Sequence, residues 1–279
     1  MNDQFSENPW RKLGWKNPFW ELLRFYRSLR KAQQKDFLQE LSAPKASKGG
    51  WWHLLNPNND AAELITAYCI QREQLLKNAL AALRTEEDAK AYCKSESIEW
   101  KLTQTQSKDH HQSSKTVIAA VEAIASKVCT KFDEKLVLNP SSRCVWFIDN
   151  HLHVTARNLD GAIPGLRDPY IVWEIKEYWG KTSGGSKMSD AVYECHLVGR
   201  EIREFEERTK HKIAHIVFLD GKNQWNSRKS DLARFIDLHN QGFIDHLFIG
   251  RTIETEWEPI LTSLVKAWKR GVKKMGQAE

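Results

Sequence analysis

Residues 159–180 read LDGAIPGLRDPYIVWEIKEYWG. On an extended strand Tyr170, Val172, Glu174 and Lys176 share one face, and Ile171, Trp173 and Ile175 share the other. The second face is apolar throughout, and the first turns charged towards its C-terminal end. Burying a carboxylate and an ammonium costs several kcal/mol unless they pair or meet a metal, so the pattern points to a site open to solvent or ligand. Asp160, just upstream, supplies a second carboxylate. Two carboxylates on adjacent strands offer the hard oxygen ligands that Mg²⁺ prefers, and the ion keeps waters as nucleophiles. A nearby lysine orients such a water or offsets charge on a phosphate in the transition state. The plain alternative is an exposed ion pair between Glu174 and Lys176 on a solvated face.

Asp160, thirteen intervening residues and Glu174-Ile175-Lys176 resemble the motif of the PD-(D/E)XK nuclease superfamily. The resemblance implies that Asp160 and Glu174 bind Mg²⁺, with the Ile175 carbonyl a further ligand, and that Lys176 positions the attacking water. Many members carry a helix glutamate before the motif, and Glu122 occupies a comparable place; its alternative is an exposed helix carboxylate. The order of elements is similar too: a helix at 116–128, a hairpin at 144–157, the strand at 170–178, a helix at 188–208 and a strand at 213–219. Among members the chain looks most like a type II restriction endonuclease. That implies an α/β (α+β) fold with a mixed central sheet flanked by helices. It also implies a Mg²⁺-dependent, site-specific double-stranded DNA endonuclease, dimeric because two equivalent sites match a two-fold DNA site. A DNA-binding protein without catalysis, and a repair or RNA-directed nuclease, are the competing readings.

The sequence departs from the motif. Leu159 precedes Asp160 and Gly161 follows it, whereas Asp168 has Pro169 beside it in reversed order. Strand geometry favours Asp160, which can return beside Glu174 from a neighbouring strand; Asp168 starts the same strand, two side-chain steps from Glu174.

Residues 17–42 open with Asn17 as N-cap and Pro18 at the first helical position, and predict a helix. Arg24, Arg27, Lys31 and Lys35 fall on one of its faces, suited to phosphates or simply to solvent. Residues 58–92 predict one or two further helices, and the polar stretch 95–116 places a boundary between a helical region, 1–112, for DNA contact or dimerisation, and a catalytic domain, 113–279. Further on, strands are expected at 144–148 and 151–157 around an Asp149-Asn150 turn, then strand 170–178, helix 188–208, strand 213–219, helix 229–240, strand 245–249 and helix 256–270.

The chain has 279 residues and a net charge of +6, from 42 Lys and Arg against 36 Asp and Glu, which modestly favours an anionic partner. Ten Lys or Arg against five Asp or Glu within residues 1–50 supply nearly all of that excess. Five widely spaced cysteines without a CxxC pair fit neither a disulfide framework nor a common zinc site. No apolar run approaches a membrane span, so a cytoplasmic protein is expected.

Other stretches carry weaker signals. The loop GKTSGGSK lacks nucleotide-binding spacing, but its Lys181, Ser183, Ser186 and Lys187 are candidates for DNA contact, as is Arg200 on the following helix with Tyr193, His196 and Arg203 beside it. Asp149, His151 and His153 share a strand face where zinc is conceivable, although a plain outer face explains them as well. The DHH at 109–111 reads as solvated loop. Asp220-Gly221, with Lys222, Arg228 and Lys229 beyond, reads as a turn facing DNA or a second subunit, or as an ordinary sheet-edge loop.

Overall fold

The computed structural model describes residues 8–42, 60–103, 113–180 and 185–275. Asn17 Oδ1 accepts from Phe19 N at 2.9 Å, but the first helix begins at Phe19 with Pro18 as its N-cap residue, one position later than expected. The expected single helix divides into α1 (Phe19–Ser28) and α2 (Lys31–Ser42), with Leu29 extended between them. The basic positions therefore do not line one continuous face. Arg24 pairs with Glu21, and Arg27 reaches Asp237 at 2.8 Å. α3 (Ala61–Ala82) and α4 (Glu86–Ser95) follow, and Thr85 and Asp88 form a capping box that starts α4.

α5 (Thr116–Lys131) is an apolar-faced helix, followed among the described residues by the strands β1 (Val137–Leu138), β2 (Val145–Ile148), β3 (His151–Val154), β4 (Gly161–Ile163), β5 (Ile171–Glu177), β6 (Ala214–Asp220) and β7 (His246–Ile249). α6 (Gly185–Thr209) links β5 to β6. α7 (Lys222–Ser227) and α8 (Lys229–Gln241) link β6 to β7, and α9 (Thr252–Met275) closes the described chain. The central sheet has the order β1-β4-β5-β6-β7, antiparallel from β1 to β5 and parallel from β5 to β7. It is the mixed sheet flanked by helices that the sequence predicts.

Helices cover both faces. Ile171 and Trp173 pack with Val117, Val121 and Val128 of α5 and with Trp257 and Leu261 of α9. On the other face Val172 packs with Val198, Ile202 and Phe205 of α6. The alternation along β5 thus sorts its side chains as the sequence demands, with one correction. Tyr170 precedes the strand and stacks on Trp268 of α9, 4.3 Å between centroids, so it lies opposite Glu174 rather than beside it.

The Asp149-Asn150 turn forms as expected, both residues having positive φ (50° and 61°), the backbone of a tight hairpin. The hairpin is a separate two-stranded sheet, however, and does not belong to the central meander. Asp160 instead precedes its own three-residue strand, β4, whose brevity hides it from any periodicity argument. Gly161 explains the residue after Asp160. A Cβ there would lie 2.0 Å from the Trp173 indole across the β4–β5 ladder, so only glycine permits the approach.

Packing does not follow a boundary at 112. Ala79 and Leu83 share a core with Val217, Leu219, Trp225 and Phe235. Arg84, 1% exposed, donates through its backbone N to Asp220 Oδ1 at 2.9 Å and through Nε to Oδ2 at 2.6 Å, and its Nη1 reaches Glu254 at 2.6 Å. The helical region up to α4 is thereby stitched to the C-terminal end of β6.

Candidate functional site

β4 and β5 bring the two expected carboxylates together. Asp160 N donates to Trp173 O at 2.9 Å, continuing the ladder one step beyond β4, and Asp160 Oδ2 then accepts from Ile175 N at 2.6 Å. The aspartate side chain thus takes the place of the next backbone carbonyl, against the middle residue of the triplet. Asp168 stands elsewhere. Its Oδ1 accepts from Phe147 N at 2.9 Å and its own N donates to Val145 O, which ties the β2–β3 hairpin to the far end of β5.

The charged face is not open as the sequence suggests. Glu174 is 1% and Lys176 6% exposed, and their burial is compensated by each other and by partners from α6, β6 and the segment after β3. Lys176 Nζ lies 3.0 Å from Glu174 Oε2 and 2.8 Å from Glu194 Oε2 of α6. Arg157, after β3, places Nη1 3.1 Å from Glu174 Oε2 and in direct contact with Glu194 Oε2. His215 of β6 sits 3.3 Å from Glu174 Oε1 through Nε2, while its Nδ1 lies 2.9 Å from the Phe243 carbonyl. Burial alone would raise the Glu174 carboxyl, but Lys176, His215 and Arg157 hold it well below the usual carboxylate range. Lys176 is likewise held a cation: burial works against its charge, and Glu174, Cys195 and Glu194 together more than offset this. An exposed ion pair is excluded, and the arrangement is a buried network.

Asp160 differs from Glu174. It is half-buried and makes no salt bridge among the described residues, and burial pushes its carboxyl up, with Glu174 adding to the rise against the Ile175 N–H and Lys176. Glu122 on α5 is half-buried and also raised, first by burial and further by Asp160, so the two carboxylates feel each other. A cleft of about 770 Å³ runs along this side of α5, lined by Glu122, Lys101, Lys115 and Asn139, and Asn139 N donates to the Asp160 carbonyl at 2.8 Å.

Among the described residues no group of three or more His, Cys, Asp or Glu is gathered as a metal cage. The donor set nonetheless suits Mg²⁺ in kind. Asp160 is a carboxylate without an ion-pair partner, the Ile175 carbonyl belongs to the residue its side chain already touches, and both are hard oxygens.

The remaining candidates disperse. Lys181 and Ser183 lie outside the described residues, as do His110 and His111; Ser186 and Lys187 are exposed at the start of α6. Arg200 pairs with Glu204 on its own helix at 2.9 Å, and Arg203 is buried against Glu206 and Asp245, so the expected basic side of α6 does not form. Asp220 is buried on Arg84 rather than facing a partner. His153 is half-buried and stacks on Trp146 and Phe205, with no metal group around it among the described residues.

Sequence reasoning missed Arg157, Glu194 and His215. Glu194 alone left a signal: it sits three residues after Ala191 and four before Val198, inside the apolar stripe of α6. It also missed Glu177. This half-buried carboxylate accepts from Val117 N at 2.9 Å and Thr116 Oγ1 at 3.0 Å, capping α5 and fixing Glu122's helix against β5.

The fold and this cluster define a mixed α/β protein with a charged site at the end of its central antiparallel pair. The chain belongs to a family described as a domain of unknown function (DUF7687), whose model matches residues 84–264. The match begins at the buried arginine that ties α4 to β6. No curated protein and no solved structure matches the chain. Within the described residues no helix is long and apolar enough to cross a membrane.

Proposed function

We propose that this protein is a Mg²⁺-dependent endonuclease acting on double-stranded DNA, of the type II restriction kind, working as a homodimer in the cytoplasm. The observation that carries the reading is the 2.6 Å contact from Ile175 N to Asp160 Oδ2, which sets one carboxylate against the triplet bearing the other carboxylate and the lysine. The resemblance of the motif, together with the succession α5, β4, β5, α6, β6 around it, supports the assignment.

In this reading Asp160, Glu174 and the Ile175 carbonyl would hold the ion, with Glu122 within electrostatic reach of Asp160. Bound there, the ion would supply a water activated for attack on phosphorus and offset charge on the phosphate. The protein's own residues do the rest. Lys176, kept cationic, acts through charge and orientation rather than as a free base. His215 and Arg157 fix the Glu174 carboxylate in place. Trp173 and Gly161 hold β4 close enough for Asp160 to reach the triplet.

Incubating the protein with plasmid DNA and Mg²⁺, with and without chelator, tests the reading. Discrete fragments that require the metal support it. DNA binding that survives chelator, with no nicking at any Mg²⁺ concentration, would instead support a non-catalytic DNA-binding protein. Preference for single strands or RNA would favour a repair or RNA-directed nuclease.

A further inference from the structure

Lys176 Nζ and Arg157 Nη1 converge on a single atom, Glu194 Oε2, at 2.8 Å from the lysine and in direct contact with the arginine. Both also touch Glu174 Oε2, so two cations and two carboxylates alternate in a closed square. The two carboxylates are not equivalent. Glu174 is 1% exposed and held by His215 as well, whereas Glu194 is 41% exposed, so its side chain can turn towards solvent. Two cationic donors fixed in the protein and focused on one displaceable oxygen are the elements of a phosphate site.

We propose that Lys176 and Arg157 form a binding site for a backbone phosphate of nucleic acid, and that Glu194 is an internal anion occupying this site until the phosphate displaces it. The inference rests on the nuclease reading for the identity of its ligand and adds two residues to it: Arg157 as a phosphate contact and Glu194 as the group that must leave. The square is neutral as it stands. A phosphate entering in place of Glu194 meets the same two cations without new charges being buried, because Glu174 remains to balance one of them. The exchange also sets an affinity cost, since each phosphate contact must first replace an existing ion pair.

The test uses the full chain, a fluorescent DNA duplex and chelator, so that binding is read without cleavage. Glu194→Gln keeps the shape and removes the competing charge, and Glu194→Ala provides a second variant; thermal melting confirms that both fold. Each is expected to bind the duplex about tenfold more tightly than the unaltered protein, the size of one charge-assisted contact. Inorganic phosphate is expected to displace the duplex from Glu194→Gln at lower concentration than Glu204→Gln requires. Glu204, equally exposed on α6 and paired with Arg200, controls for simple loss of negative charge. In an Arg157→Gln background the Glu194→Gln gain should vanish, which a general charge effect would not do. Unchanged or weaker binding by both Glu194 variants, a gain equal to that of Glu204→Gln, a gain that persists without Arg157, or no binding by any form overturns the inference. The nuclease reading stands or falls separately, on cleavage with Mg²⁺. A tightening without cleavage keeps the phosphate site and removes the enzyme, and cleavage without tightening does the reverse.

Discussion

Asp160 Oδ2 accepts the Ile175 N–H at 2.6 Å, so a side chain completes the β4–β5 ladder where the backbone of β4 has not yet begun. An asparagine can make the same contact through its Oδ1. Asp160→Asn is therefore expected to fold with a melting temperature at or above that of the unaltered protein, since burial penalises the charge it removes. Metal-dependent cleavage is expected to fall by at least about a hundredfold while duplex binding in chelator persists. Gel assays of cleavage and a melting curve check the two halves.

Lys176→Met should behave differently. It strips Glu174 of its closest cation while leaving that carboxylate 1% exposed, and breaking one side of a buried pair costs about 3–5 kcal/mol. Chemical denaturation should show this loss, and adding Glu174→Gln should recover most of it. Recovery of stability without recovery of cleavage would separate the network's structural part from its chemistry.

Gly161→Ala tests the close approach of β4. Its Cβ would meet the Trp173 ring at 2.0 Å, and that ring is fully buried among α5 and α9 side chains, so the neighbours cannot give way cheaply. A loss of about 1–3 kcal/mol is expected by denaturant titration, with cleavage reduced through displacement of Asp160.

Acid should destabilise the fold in two separable steps. Burial, with Arg11 and His246, pushes His239 down to about 3 from an ordinary 6.5, so between those values the unfolded chain binds a proton that the folded one excludes. Stability then falls as pH drops through that window, by up to about 1.4 kcal/mol per pH unit for this one group. His153, His196 and His211, also lowered by burial, contribute to the same limb. Asp245 acts at lower pH. Burial would raise it, but Arg203 and Arg11 hold it well below its usual range, so its contribution is present above the unfolded value and is lost as pH falls beneath it. His239→Gln should flatten the upper limb and Asp245→Asn the lower one, as read from denaturant midpoints from neutral pH down to about pH 2.

Much of this was legible in the residues. The alternation of Ile171, Trp173 and Ile175 against Val172, Glu174 and Lys176 set the two faces of β5, and strand geometry preferred Asp160 to Asp168, which the structure places at opposite ends of that strand. What stayed hidden was non-local. β4 is three residues long and carries no period; Arg157 and His215 reach Glu174 from 17 and 41 residues away, and Glu194 reaches Lys176 from 18, which no spacing encodes. Arg84 was invisible for the same reason: its partner Asp220 lies 136 positions away, so α3 and α4 looked separable from a core they help to build.

The most direct test of the central claim compares cleavage of duplex DNA by the unaltered protein and by Asp160→Asn, in Mg²⁺, at concentrations where both occupy the DNA equally. The account predicts discrete, chelator-sensitive fragments from the first and none from the second. Equal cutting by the two, or none by the unaltered protein on any duplex, would contradict it.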